Sequence, residues 1–174
     1  TGDFLYENSN LLSAAVTKFP RLETVIMEAT YGGKKDTPPT RRECELFFTD
    51  IIKKTLERNG KVLVPVLGSG RSQEIMVILD KLVREGTLPK IPVYVQGLVW
   101  DITAIHTAYP DFFNQKVRKL IYHKDQNPFL SDMFIRVGSR KEMQEVVEEK
   151  GQCVILATSG MLTGGASLEY FKLL

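Results

Sequence analysis

Residues 62–74 read VLVPVLGSGRSQE, and the order of features in this stretch decides the fold. A continuous apolar run rich in β-branched residues is typical of a strand buried on both faces, as in a parallel sheet. A glycine-rich stretch at 68–70 follows at once, and a segment with apolar residues at helical spacing comes next. This order predicts a turn that holds an anion at a helix N-terminus. Pro65 is unfavourable in a central strand and predicts an edge position or a bulge.

Strands and helices alternate along the rest of the chain. Short apolar runs predict strands at 24–30, 61–67, 91–97, 119–123 and 153–160. Helical spacing and capping signals predict helices at 40–60, after the glycine-rich turn, on either side of Pro110, at 140–150 and at 166–174. The connections are too long for hairpins. We therefore predict an α/β fold, a parallel, Rossmann-like sheet in three layers with helices on both faces.

The predicted helix at 40–60 has clear signals at both ends. Thr40 with Glu43 makes a capping box after two prolines, and Gly60 ends the helix. Ser139 with Glu142 makes a second capping box before the helix at 140–150. The predicted inward stripe of the first helix consists of Cys44, Phe47, Phe48, Ile51, Ile52 and Leu56.

The composition is that of a globular domain, with 174 residues, 43% hydrophobic and 25% charged. A net charge of +2 neither demands nor excludes nucleic acid, because a local basic groove can lie within a near-neutral total. No apolar run reaches the roughly 18 residues of a membrane span, so we expect no contact with a membrane. Cys44 and Cys153 lie in apolar runs, which predicts buried free thiols in a reducing compartment and indicates a cytoplasmic protein.

Polar or glycine-rich residues mark the ends of three of the predicted strands. The first ends at Glu28, the second runs into GSGR, and the last runs into TSGMLTGG. Because ligands gather at the carboxyl ends of parallel strands, we expect these three ends to share one edge of the sheet. An ordinary tight turn without a ligand remains an alternative for both glycine-rich stretches, and a loop anchor remains one for Glu28.

The glycine-rich turn lacks the marks of a nucleotide site. The dinucleotide fingerprint G-x-G-x-x-G has Gln73 at its third glycine, and no Walker lysine follows. Arg71 favours a phosphate ligand, because its guanidinium fork fits phosphate oxygens. Neither His106 nor His123 lies in a metal-binding motif. Four aromatic residues fit a helix core better than a base-stacking surface: Trp100, Tyr109, Phe112 and Phe113.

Six stretches together resemble one family. They are TGDF, FPRLETVIMEATYGG, GKVLVPVLGSGRSQE, WDITAIHTAYP, NPF and ILATSGMLTGGASLEYFK. In order and spacing they resemble the β-CASP metallo-β-lactamase ribonucleases, in particular the archaeal homologues of the cleavage and polyadenylation specificity factor endonuclease. The resemblance covers nearly the whole chain. It implies that 1–29 are a strip of a metallo-β-lactamase domain and that 30–174 are a β-CASP domain.

The resemblance also implies an activity. Members hydrolyse phosphodiester bonds of single-stranded RNA with two zinc ions in the cleft between the two domains, and some act as 5′-to-3′ exonucleases. Asp3 matches a carboxylate that bridges both metals. Glu28 matches an acidic residue that supports a metal-ligating histidine, and we predict a catalytic role for it. The predicted RNA- and phosphate-binding positions are Ser69, Gly70, Arg71, Ser159 and Gly160.

The family's H-x-H-x-D-H motif and its later histidine motifs do not occur in this sequence. We therefore expect a piece of a longer protein, which binds no zinc and is inactive alone. Its expected partners are single-stranded RNA and the metallo-β-lactamase domain of the same polypeptide, and a homodimer is left open. Two alternatives remain, a non-catalytic scaffold for RNA processing and a nucleotide-binding Rossmann-like domain.

Overall fold

The computed structural model describes residues 2–174, and within them the predicted α/β fold is confirmed. The helices are α1 (Arg41–Leu56), α2 (Arg71–Arg84), α3 (Gly97–Ala108), α4 (Gln115–Lys124), α5 (Arg140–Glu148) and α6 (Gly165–Leu173). The strands are β1 (Lys61–Pro65), β2 (Val93–Gln96), β3 (Phe134–Val137) and β4 (Cys153–Ala157), and a short 3₁₀ turn spans Pro110–Phe112. None of the helices described within 2–174 is long and apolar enough to cross a membrane.

All strand pairs are parallel, and the strand order is β1-β4-β2-β3. Every residue of β4 is buried, which explains the unbroken apolar run CVILA at the centre of the sheet. β1 lies at one edge, so the prediction from Pro65 is confirmed. Pro65 pairs with Ala157 in the register, and Val66 N–H then donates to the Ala157 carbonyl at 2.9 Å.

Helices cover both faces of the sheet, as a three-layer fold requires. Successive side chains of a strand point to opposite faces. In β4, Val154 and Leu156 therefore join the larger core, which contains residues of α1, α2, α3 and α4. Cys153 and Ile155 join a smaller core with residues of α5 and α6. Burial raises the pKa of the Cys153 thiol to about 11.

Part of the segment before α1 packs against the domain. Leu11 is 1% exposed and belongs to the larger core. Asn114, which caps α4, donates its backbone N–H to the Leu11 carbonyl at 2.9 Å and its Nδ2 to the Ser9 carbonyl at 3.1 Å. These contacts fix residues 9–11 against the domain. The domain boundary between 29 and 30 stays a prediction.

Two predicted strands are wrong. The stretch at 24–30 forms no strand, because its apolar side chains find no second layer among the described residues, and Ile26 is 80% exposed. The stretch at 119–123 lies inside α4. Val117 is buried, and Leu120 and Ile121, three and four positions later, are half-buried, which is helical spacing. The predicted strand at 119–123 leaves out Val117, so this spacing is not visible within it. β3 was not predicted, because its four residues show only a buried-exposed-exposed-buried pattern.

The predicted stripe of α1 is also partly wrong. Both signals of the capping box are present at Thr40 and Glu43. Of the predicted stripe, Ile52 and Leu56 are buried and Phe48 is half-buried against the core, together with Thr49, whereas Phe47 and Ile51 are exposed. Cys44 is exposed, so only one of the two cysteines is buried as predicted. Among the four aromatic residues predicted for the core, Phe113 is buried and Trp100 packs against the core, whereas Tyr109 is 60% and Phe112 78% exposed.

Candidate nucleic-acid interface

The two glycine-rich turns lie side by side at the carboxyl edge of the sheet. β1 and β4 are hydrogen-bonded neighbours, so the turns that follow them start from adjacent positions. A Cβ atom added at Gly160 would lie 3.2 Å from the carbonyl carbon of Val66 and 3.3 Å from the nitrogen of Leu67. Any larger residue would crowd the neighbouring backbone, so glycine favours this close approach of the two turns. Two of the three predicted strand ends therefore meet, as expected.

In the turn after β1, the amides of Gly70 and Arg71 are already hydrogen-bonded. Gly70 is the N-cap of α2 with a φ of 78°, a left-handed conformation that favours glycine. Its N–H donates to Oε1 of the buried Gln73 at 2.7 Å, and the N–H of Arg71 donates to the Ser69 carbonyl at 3.0 Å. Both amides are thus engaged within the turn. The guanidinium of Arg71, whose side chain is 61% exposed, is the group positioned to meet an anion.

Glu74 holds Arg71 in place. Its side chain is only 8% exposed, and its Oε2 accepts a hydrogen bond from Arg71 Nη1 at 2.8 Å. Its Oε1 pairs with Arg41 Nη1 from the start of α1 and accepts from the Asn10 backbone N–H at 3.0 Å. One carboxylate therefore joins the turn, α1 and the N-terminal segment, and we call Asn10, Arg41, Arg71 and Glu74 the Glu74 cluster.

A hollow of about 260 Å³ lies between the turn and the N-terminal segment. Its lining residues are Leu5, Ser9, Leu11, Leu12, Ser69, Gly70, Arg71 and Glu74. Three of the predicted phosphate-binding residues are among them. The arrangement can receive an anionic group on the exposed side of the Arg71 guanidinium, with the chain that follows Asp3 as the opposite wall.

The turn after β4 is closed by its own hydrogen bonds. Ser159 N–H donates to the Gly164 carbonyl at 3.2 Å, and its hydroxyl lies within 3.5 Å of Thr163 Oγ1. The buried Ser167 hydroxyl donates to the Ser159 carbonyl at 2.7 Å. These contacts give the turn a fixed shape. Ser159 and Gly160 are half-buried beside β1, so their predicted contact with RNA would come from a rigid surface.

Glu28 does not lie at the end of a strand of this sheet. The prediction that three strand ends share one edge of the sheet is therefore wrong for the one at Glu28. Glu28 is half-buried, and its Oε2 accepts a hydrogen bond from the Thr30 N–H at 2.8 Å. Hydrogen bonds from the Thr30 backbone and hydroxyl, and more weakly from the Phe4 backbone, hold the pKa of the Glu28 carboxyl below its ordinary value. Glu28 therefore lies near the residue that follows Asp3. The catalytic role of Glu28 and the metal-binding role of Asp3 stay predictions.

The described residues do not form a metal centre by themselves. Across 2–174, no three side chains among histidine, cysteine, aspartate and glutamate come together as a ligand set. Asp3 is exposed. His106 stacks on Phe113 with ring centroids 6.1 Å apart, and its Nδ1 lies 2.9 Å from the Ile102 carbonyl oxygen. Two zinc ions therefore do not fit these residues alone.

Comparison with known proteins decides the family. A model described as the Beta-Casp domain matches residues 72–174, which is more than half of the chain. This chain belongs to the Beta-Casp domain family. The match begins within the first turn of α2 and includes every later strand and helix. The family predicted from the six sequence stretches is confirmed.

The β-CASP chain is similar to curated archaeal proteins called "Transcription termination factor FttA". The protein of Methanocaldococcus jannaschii is 50% identical over 172 residues, and that of Methanothermobacter thermautotrophicus is 49% identical over 172 residues. The Lokiarchaeum protein is 49% identical over 174 residues. These alignments cover 99% or 100% of this chain but 27% of each relative. The chain thus spans about a quarter of the length of these relatives.

Sequence reasoning identified the turn of this β-CASP domain but not the residue that organises it. Glu74 lies three positions after Arg71, which is a spacing that brings two helical side chains together. That spacing was the one signal in the sequence for the Arg71–Glu74 pair. The bonds of Glu74 with Asn10 and Arg41 join segments far apart in the sequence, and no local pattern reveals them.

Proposed function

We propose that the polypeptide containing these residues hydrolyses phosphodiester bonds of single-stranded RNA, and that the described residues form the cap that holds the RNA backbone. The observation that carries the proposal is the exposed Arg71 guanidinium, oriented by the buried Glu74 at the edge of the sheet. A guanidinium binds phosphate oxygens without reading the base, so it suits a sequence-independent nuclease. Membership of the Beta-Casp family supports the same class of reaction.

The metal would be zinc, held mainly by ligands outside these residues. The described residues do not suffice for two ions, and Asp3 would contribute one carboxylate, with Glu28 supporting a histidine ligand. Zinc when bound supplies an activated water for phosphodiester hydrolysis. A metallo-β-lactamase domain in the same polypeptide is the proposed source of the other ligands. The name of the relatives refers to termination of transcription, and we propose an RNA transcript as the substrate.

The binding role is tested by Arg71→Ala in the full-length parent. We expect binding of single-stranded RNA to weaken by roughly 1–2 kcal/mol, and by a similar amount for several unrelated sequences. Arg140→Ala is the matched control, because Arg140 is likewise an exposed arginine at the first position of a helix. Unchanged affinity of Arg71→Ala at several salt concentrations would refute the role of the turn.

The catalytic role is tested with end-labelled single-stranded RNA on a gel. We expect cleavage by the parent, loss of cleavage on chelation and recovery with zinc. The chain of residues 1–174 alone should leave the RNA uncut with or without zinc. RNA binding by the parent without any cleavage would favour a scaffold instead, and zinc-dependent cleavage by the short chain would mean that it contains a metal site.

A further inference from the structure

The outward face of α4 is strongly basic. Its exposed basic side chains are Lys116, Arg118, Lys119 and His123, and Lys124 is exposed at the C-terminal end of the helix. Within residues 2–174, none of the ion pairs includes any of these side chains. Val117 on the opposite side of the helix is buried and anchors it to the core. The positive charge of this face is thus presented to solvent by a fixed element.

Aromatic rings lie beside this basic face. Tyr122 on α4 is 54% exposed, and Phe112 on the neighbouring 3₁₀ turn is 78% exposed. The Tyr122 hydroxyl donates to Asp111 Oδ1 at 2.8 Å. This bond links α4 to the 3₁₀ turn, so the rings and the basic side chains belong to one surface.

An apolar hollow of about 380 Å³ continues this surface. It is lined by Leu12, Ile105, His106, Tyr109, Phe112 and Phe113. Its floor is ordered, because the His106 ring stacks on Phe113 and Phe113 packs against Phe129 with centroids 5.6 Å apart. Most of its lining is aromatic or aliphatic, which suits the flat face of a nucleobase.

Leu12 connects this hollow with the candidate interface. It lines both the aromatic hollow and the hollow at Arg71. The two cavities therefore adjoin across one side chain. A chain held at Arg71 can pass over Leu12 and reach the aromatic rings without crossing the body of the domain.

We propose that single-stranded RNA extends from the Arg71 turn over Leu12 into this hollow, where a base stacks on Phe112 or Tyr109, and that its phosphates then contact α4. The proposal rests on the proposed function, because it needs RNA as the substrate. Exposed aromatic rings beside unpaired cations are the combination that binds single-stranded nucleic acid. A protein partner fits less well, since lysine is depleted at the centres of protein interfaces.

The test compares two single-stranded RNAs bound to the full-length parent. One of about 4 nucleotides fills the Arg71 turn, and one of about 16 nucleotides also reaches the hollow and α4. We expect Phe112→Ala to weaken binding of the long RNA by about fivefold or more and to leave the short RNA unchanged. Its matched control is Phe171→Ala, because Phe171 on α6 is also largely exposed, at 64%.

The basic face is tested separately by the double change Lys116→Gln and Lys119→Gln. The slope of log affinity against log salt should fall, for the long RNA, by about 0.7 for every phosphate that the protein no longer neutralises. The double change Lys53→Gln and Lys54→Gln on α1 removes the same charge from another helix and should leave the slope as in the parent. All of the changed side chains are exposed, so folding should be retained.

The outcomes separate this inference from the proposed function. Weaker binding restricted to the long RNA supports the extended path. Normal binding of the long RNA by the Phe112 and Lys116/Lys119 variants, with weakened binding of both RNAs by Arg71→Ala, overturns the path but leaves the proposed function intact. Normal binding by all of these variants, Arg71→Ala included, overturns both.

Discussion

The Glu74 cluster makes a strong prediction about stability. Glu74→Gln keeps the size of the side chain but removes its charge, so two arginines lose their anionic partner. The side chain of Glu74 is 8% exposed, that of Arg41 is 29% and that of Arg71 is 61%. The two ion pairs of Glu74 should therefore differ in strength, because solvent screens the exposed pair far more than the buried one.

The expected decrease in stability follows from those exposures. The pair with Arg41 is partly buried and hydrogen-bonded, and removing it should cost about 2 kcal/mol. The pair with Arg71 is largely exposed on the arginine side, so removing it should cost about 0.5 kcal/mol. The Asn10 N–H can still donate to the glutamine oxygen, so that bond is largely kept. The free energy of unfolding should fall by about 2–3 kcal/mol in total.

Equilibrium unfolding of the 1–174 chain in urea, followed by circular dichroism, measures this decrease. Glu145→Gln is the matched control, because Glu145 is 62% exposed and its Oε1 lies 3.8 Å from Lys141 Nζ. The control should change the free energy of unfolding by less than about 0.5 kcal/mol. A double-mutant cycle should give a larger coupling energy for Glu74 with Arg41 than for Glu74 with Arg71.

Two results would refute this reasoning about the Glu74 cluster. One is a decrease for Glu74→Gln no larger than that of Glu145→Gln, which would mean that solvent replaces the buried interactions at no cost. The other is equal coupling of Glu74 to both arginines, which would mean that burial does not determine the strength of the pairs.

Further predictions concern the turn after β4 and the two cysteines. Gly160→Ala should cost about 1–3 kcal/mol, because the new Cβ would press on the Val66 backbone, whereas Gly164→Ala, with open space around its Cβ position, should cost about 0.5 kcal/mol or less; urea unfolding compares them. Iodoacetamide should label the exposed Cys44 in the native protein near pH 8 and leave the buried Cys153 unmodified, as peptide mass spectrometry can check. The pKa of Cys153 is raised from 9.0 to about 11, so its contribution to stability is complete below pH 9 and is lost as the pH rises through 11. Cys153→Ala should therefore reduce the fall in the free energy of unfolding between these pH values. An equally steep fall in the variant would contradict the burial of Cys153.

Local sequence signals predicted the elements that local physics determines. The capping box at Thr40, the buried run of β4 and the turn from β1 into α2 each depend on residues close together in the chain, and all three are present. Pro65 even predicted the edge position of β1, because a missing N–H limits where a strand can pair.

The errors arose where the outcome depends on distant contacts. The apolar run at 24–30 looks like a strand, but the described residues offer it no sheet to join. The exposure of Cys44 depends on which side of α1 packs against the sheet. The apolar spacing along that helix does not determine which side this is. Glu74 contacts Asn10 and Arg41, which only the folded chain brings together.

The strand order has a consequence for how the chain folds during synthesis. β4 lies between β1 and β2 in space but is the last of the four strands to leave the ribosome. Until Cys153–Ala157 emerge, β1 has no neighbouring strand, and its apolar side chains stay exposed to solvent. Pairings between distant parts of a chain form slowly. Nascent chains that end before Cys153 should therefore bind chaperones and be cleaved readily by proteases. Once α6 has left the ribosome, β4 should insert between β1 and β2 and complete the sheet in one step.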